Sequence, residues 1–222
     1  DVTGVQTCAL PIWAWCQEQK PFWFVDSGYT NFLTKKKNWH RLVRNHIHHT
    51  VDLKYFPADR LSTLPSTPQP WRRWTGNKIL VVESSDMHYR LFGTTLEEWR
   101  NRVYHELRQA TSRPVEFRSK ELDRKSRTSV YELLQNSGDY YCVISDASAA
   151  AIEAIWCGVP VITLNKHVSN PVARSSISDI DNLYRGPVGD WLCALTYSQF
   201  TYKEFESGYA IEMLGTYHGI TV

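Results

Sequence analysis

The second half of the chain is predicted to be an α/β domain built on a Rossmann-type parallel sheet, and three observations carry this. Short apolar runs alternate with stretches of helical spacing from residue 78 to residue 164. Such alternation generates βαβ units, whose strands lie parallel. Two of the helical stretches open on S/T-x-x-E, the reciprocal cap that satisfies free N–H groups at a helix start. The apolar runs also end in hydroxyl or charged residues, which in an open α/β sheet fall at the carboxyl ends of the strands, where ligands bind.

The elements follow in order. Residues 20–26, KPFWFVD, form an aromatic and apolar run closed by Ser27-Gly28, a strand and its turn. Residues 35–44, KKKNWHRLVR, are strongly basic. In the NHIHHT that follows, His46 and His48 alternate as on a strand face. Residues 61–74 hold Pro65, Pro68 and Pro70 and read as a loop or linker. KILVVE, residues 78–83, is a strand. Leu96, Trp99, Val103, Tyr104 and Leu107 then recur at helical spacing over 96–110, opened by Thr95 and Glu98. A strand is expected at 114–117, a helix at 130–134 opened by Ser129 and Glu132, and a strand at 140–144. A helix over 148–157 ends on Gly158, and a strand follows at 159–164. Asp190 is expected to cap a helix from Trp191, and Thr201 with Glu204 to cap a last helix ending near Leu214.

Of the 222 residues, 42% are hydrophobic and 22% charged, ordinary values for a globular chain. No apolar run approaches the ~20 residues that span a bilayer. The five cysteines are scattered, with no CxxC pair, which fits a reducing compartment and a cytoplasmic location. The net charge of +2 hides an asymmetry. Residues 13–75 carry ten Lys and Arg against four Asp and Glu, whereas 76–222 carry fifteen against eighteen. The basic excess suits an acidic partner or a solvated basic face. Val2 to Ile12, VTGVQTCALPI, reads as a translated sequencing adapter, so residues 1–12 are expected to be an artefact and the chain an N-terminally truncated fragment. The expected organisation is therefore 13–75 as the remnant of an N-terminal domain with its linker, and 76–222 as the ligand-binding domain.

The residues at the expected carboxyl ends of the strands set the chemistry. They are Ser84 and Ser85, then Arg118 and Lys120, then Ser145 and Ser148, and last Asn165 to His167. The helix start at Ser148, with small Ala149 and Ala150 behind it, offers free N–H groups to an anion. Arg118 and Lys120 are two apart on an extended segment and can face one side. Together these suit a diphosphate. Glu153 is a lone carboxylate on an otherwise apolar helix, and it needs a partner if buried. A ribose diol would supply one, and so would a neighbouring Arg.

The string SDASAAAIEAIWCGVPVITL, Ser145 to Leu164, resembles the donor-site motif of GT-B-fold glycosyltransferases. More narrowly, the chain resembles glycosyltransferase-like proteins of phages and environmental bacteria. The matching pieces are Asp26-Ser27-Gly28-Tyr29, Pro57-Ala58-Asp59-Arg60, Arg118-Ser119-Lys120, and Asp190-Trp191 with the LTYSQFT of residues 195–201. The resemblance covers roughly Phe22 to Leu214. It implies a GT-B-like architecture with a partial N-terminal acceptor domain. It implies that Ser148 and Ala149 meet the diphosphate and that Glu153 meets the nucleotide ribose. It also implies transfer of a sugar from a nucleotide-sugar donor to a glycan acceptor, or to modified bases in DNA, for which the basic segment 35–44 fits phosphate contacts. The catalytic base is open, with Asp26, His46 and His48 as candidates, because an unperturbed imidazole suits proton removal from a hydroxyl. The histidines include no convincing zinc set, and no DxD-like pair occurs. No cofactor or metal is therefore expected, and cations with a helix dipole would carry the leaving charge. Two alternatives are a nucleotide-sugar epimerase of the same fold and a non-catalytic nucleotide-binding module.

Overall fold

The computed structural model describes residues 21–34, 38–49, 51, 55–73, 76–119 and 128–219. The expectations placed on residues 1–12 and on Lys120 lie outside these.

The fold is mixed α/β around a four-stranded parallel sheet. Its strands are β3 (Lys78–Val82), β4 (Val115–Arg118), β5 (Tyr140–Ser145) and β6 (Val161–Thr163), in the order β4-β3-β5-β6. Every pairing is parallel, with Val82 opposite both Arg118 and Ser145. Alternate side chains reach opposite faces of a strand, and here both faces are covered. Leu80, Val82, Val143 and Val161 join one apolar cluster with Leu134, Ala151, Ile155, Trp156, Trp191 and Leu195. Ile79, Val81, Cys142, Ile144 and Ile162 join a second with Tyr89, Trp99, Val103 and Leu107. That double burial is why the strands read as continuous apolar runs rather than as alternations.

Seven α-helices surround the strands among the described residues: α1 (Asp86–Leu91), α2 (Leu96–Ala110), α3 (Val130–Asn136), α4 (Ala150–Trp156), α5 (Gly189–Thr196), α6 (Tyr202–Glu206) and α7 (Tyr209–His218). The boxes at Thr95/Glu98, Ser129/Glu132 and Thr201/Glu204 all form, opening α2, α3 and α6. Each is worth about 1 kcal/mol of helix stability. Asp190 does not cap. Helix α5 starts two residues earlier than expected, at Gly189, from Val188 and with no side-chain cap. The last helical stretch is two helices, because Gly208 at φ 79° breaks it between α6 and α7. Helix α1 was not expected.

A second sheet is antiparallel and joins the two ends of the described chain. Strands β1 (Trp23–Ser27) and β2 (Trp39–Arg44) pair in register from Trp23 opposite Arg44 to Ser27 opposite His40. Strand β7 (Phe200–Thr201) pairs with the other edge of β2. Gly28 allows the close return, since a Cβ there would sit 2.3 Å from the Trp39 Cβ. Strand β2 ends at Arg44 because Asn45 turns to φ 57°, while its Oδ1 accepts from the Phe22 N–H at 3.0 Å. His46 and His48 therefore lie in a bend after the strand and not on a strand face. Arg60 fastens this region to the rest. It donates to the carbonyls of Thr196 and Gln199 and to Glu204, and its guanidinium lies over the Phe200 ring. Gln199 exchanges two hydrogen bonds with Thr30. The proline-rich stretch is held along the end of α4, where Gln69 N–H donates to Trp156 O and Arg72 N–H to Gly158 O.

Candidate functional site

The carboxyl ends of β3 and β5 open into a cleft of about 800 Å³, within the range of small-molecule sites. The sheet supplies its floor. After β3 come Glu83, Ser84 and Ser85, and after β5 come Ala147, Ser148 and Ala149. Helix α1 contributes Met87, His88 and Leu91, the start of α3 contributes Ser129 and Val130, and α4 contributes Glu153. The hairpin closes the opposite wall with Phe24, Asp26, Arg41 and His48.

Of the residues predicted from sequence, Asp26, His48, Ser84, Ser85, Ser148, Ala149 and Glu153 meet around this cleft. Ser145, Arg118 and His46 are not among its lining residues. Ser145 is fully buried behind it. Arg118 ends the edge strand β4, and its Nη2 donates to the carbonyl of Thr128, a lining residue. The His46 Nδ1 accepts from the His48 N–H at 3.1 Å.

The local bonds fix each remaining role. Ser148 Oγ accepts weakly from the Ala150 N–H at 3.3 Å, just ahead of α4, whose N-cap position is Ala149 and carries no side-chain cap. Glu153 Oε2 accepts from the Tyr131 N–H at 2.7 Å. The glutamate therefore bridges α4 to the start of α3, where its charge meets the positive end of that helix. The partner anticipated from sequence was a ribose or an arginine, and the structure supplies a backbone amide. Asp26 Oδ2 pairs with Arg41 Nη2 at 2.7 Å, and Arg41 lies over the Tyr29 ring. His48 is buried beside His167, their ring centroids 4.4 Å apart. Burial, then the neighbouring His167 and Arg41, hold its pKa well below the usual imidazole value. It is neutral at pH 7 and a weak base.

Unpartnered polar atoms concentrate here. Among the described residues, Arg41 Nε, His48 Nδ1, Glu83 Oε2 and Ser84 Oγ are buried without a hydrogen bond, and all four residues line the cleft. Each such atom costs about 1–3 kcal/mol, so their gathering in one place calls for a cause. A polar ligand is one. The charge balance is less suited to an anion, because the lining holds Asp26, Glu83 and Glu153 against the single guanidinium of Arg41.

One constellation escaped the sequence reading. His88 Nε2 bonds Asp146 Oδ2, and the other carboxylate oxygen accepts from Trp99 Nε1 at 3.1 Å. Beside it Glu83 pairs with Arg100 at 2.7 Å. The available signal was Ser85-Asp86, an N-cap followed by a first-turn acid, which announces α1 and so places His88 on it.

Among the described residues no group of three or more His, Cys, Asp or Glu stands close enough to hold a metal ion, and no helix is long and apolar enough to cross a membrane. No family model matches the chain, and neither a curated protein nor a solved structure matches it. The chain is a mixed α/β fold with a four-stranded parallel sheet and a cleft at the sheet's carboxyl edge.

Proposed function

We propose that this cleft binds a nucleotide sugar and that the chain serves sugar transfer from it to a glycan or nucleic-acid hydroxyl. The observation that carries the reading is the convergence of Ser84, Ser85, Ser148, Ala149 and Glu153 around one cleft at the strand carboxyl ends. Hydroxyls and small residues let a phosphorylated ligand approach the backbone closely. A carboxylate has about four lone-pair positions, so the Tyr131 amide does not exhaust Glu153 as an acceptor for ribose hydroxyls. Arg41 is the lining cation that offsets diphosphate charge in this reading, while Arg118 ends the neighbouring strand β4 outside the lining. The GT-B-like motif of residues 145–164 points the same way.

The test is calorimetric titration of the full chain with UDP, GDP and ADP. Saturable binding of at least one is expected between about 1 μM and 1 mM, equivalent to roughly 8 to 4 kcal/mol. Ser84→Ala with Ser148→Ala should weaken it about tenfold or more without lowering the melting temperature. If none of the three binds at millimolar concentration, the nucleotide reading fails.

A further inference from the structure

We infer that His88, held by Asp146, is the proton acceptor for a hydroxyl attacking in this cleft. The inference rests on the nucleotide-sugar reading and supplies the base that reading lacks. The geometry comes from two segments far apart in sequence. His88 projects from α1, just beyond β3, and Asp146 stands at the carboxyl end of β5, the neighbouring strand. Both are buried, and His88 lines the cleft.

The hydrogen bonds fix the protonation pattern. Asp146 accepts from His88 Nε2 through one oxygen and from Trp99 Nε1 through the other. With both carboxylate oxygens acting as acceptors, the imidazole presents its Nε2–H to Asp146. The lone pair then lies on Nδ1, which makes no hydrogen bond among the described residues. Rings on either side hold the imidazole, with Tyr89 at 5.3 Å and Phe92 at 4.9 Å between centroids. The sequence-level candidates serve less well. Asp26 is bound to Arg41, and His48 is a weak base with no carboxylate behind it.

The step balances as follows. The oxygen of water or of an acceptor forms a bond to the anomeric carbon of the sugar. Its proton passes to Nδ1 of His88, giving an imidazolium that Asp146 stabilises. The bond from the anomeric carbon to the diphosphate oxygen breaks, and the nucleoside diphosphate leaves with that electron pair. His88 is the catalytic residue and Asp146 the positioning residue.

The experiment uses the full chain with UDP-glucose and GDP-mannose, water as the acceptor, and both free-sugar release and calorimetric binding as readouts. His88→Ala should bind nucleotide within about twofold of wild type, while release falls on the order of a hundredfold or more. Added imidazole should restore part of the lost rate, which a purely structural role would not allow. Asp146→Asn, which keeps the side-chain shape, is the second variant. Its amide would donate to Nε2, move the imidazole proton to Nδ1 and remove the lone pair, so release should fall with binding intact. Release by both variants within threefold of wild type overturns the dyad and leaves the nucleotide reading standing. Binding by wild type without any release also overturns the dyad. Failure of the wild type to bind either donor overturns the reading and the inference together.

Discussion

Acidification should destabilise this protein well above the range in which its carboxylates titrate. Three buried histidines and the half-buried His218 gather where the segment after β2 meets the rest of the fold. His48 faces His167 and His49 faces His218, each pair with ring centroids 4.4 Å apart. Burial is the largest cause of the lowered pKa in all four, and Arg41 adds to it for His48, His49 and His167. His167 is brought down to about 3 and His218 to about 4. In the unfolded chain both return to about 6.5. The folded pKa is the lower one, so below pH 6.5 the unfolded state holds more protons. Stability is complete above about pH 7 and is lost as pH falls toward the folded values. Between pH 7 and pH 5 each of these two histidines removes roughly 2 kcal/mol, about 4 kcal/mol together. His48 and His49 act in the same direction. That loss is a large share of the 5–15 kcal/mol typical of a folded domain. Glu98 and Glu204 have lowered pKa values and respond only below about pH 4.5, so this window isolates the histidines. The assay is urea unfolding followed by tryptophan fluorescence from pH 8 to pH 5, with the fully buried Trp99, Trp156 and Trp191 as probes. His167→Gln and His218→Gln should each flatten the dependence by about half of that 4 kcal/mol. An unfolding free energy at pH 5 within 1 kcal/mol of the pH 7 value would refute the reasoning.

Further outcomes concern single contacts. Glu153→Ala strips the Tyr131 amide of its acceptor and should cost about 1–3 kcal/mol in urea unfolding. Glu153→Gln keeps an acceptor and should cost under about 1 kcal/mol, while nucleotide affinity falls about tenfold in calorimetry; unchanged affinity in Gln would remove the ribose role. Gly158→Ala should lower the melting temperature by several degrees. Its φ is +68° and the new Cβ would lie 2.2 Å from the Pro70 carbonyl oxygen, a cost above about 1 kcal/mol. Arg60→Met leaves Glu204 and two carbonyls without their guanidinium and should cost about 3 kcal/mol, read as a shift in the urea midpoint.

What the sequence shows of this fold depends on how local the cause is. The three capping boxes span four residues each and form as read. The strands of the parallel sheet announce themselves because both of their faces are buried. Residues 84, 85, 148, 149 and 153 reach one cleft because their place at strand ends follows from that same alternation. Asp190 was misread because an N-cap also needs the right backbone turn, and that is set at Val188 and Gly189 by packing of α5. The bend at Asn45, which takes His46 and His48 off the strand, depends on a bond to Phe22 across the hairpin. The pairing of His88 with Asp146 is illegible in sequence, since 58 residues separate them and only the adjacency of β3 and β5 unites them. Two residues of β7 carry no periodic signal, so its place beside β2 is visible only in three dimensions.

That placement has a consequence for how the chain is made. The hairpin of β1 and β2 leaves the ribosome before Phe200 and Thr201, which pair with Trp39 and His40 on its second edge. Those residues follow roughly 160 positions later, on the order of ten seconds or more at ordinary rates of synthesis. Through that interval the free side of β2 offers unpaired amides and carbonyls to any passing strand. Val25, still 63% exposed in the finished fold, adds an apolar surface to the same hairpin. Aggregation during expression should therefore begin at this hairpin, and a chaperone that shields nascent strands should raise the soluble yield more than slower growth does.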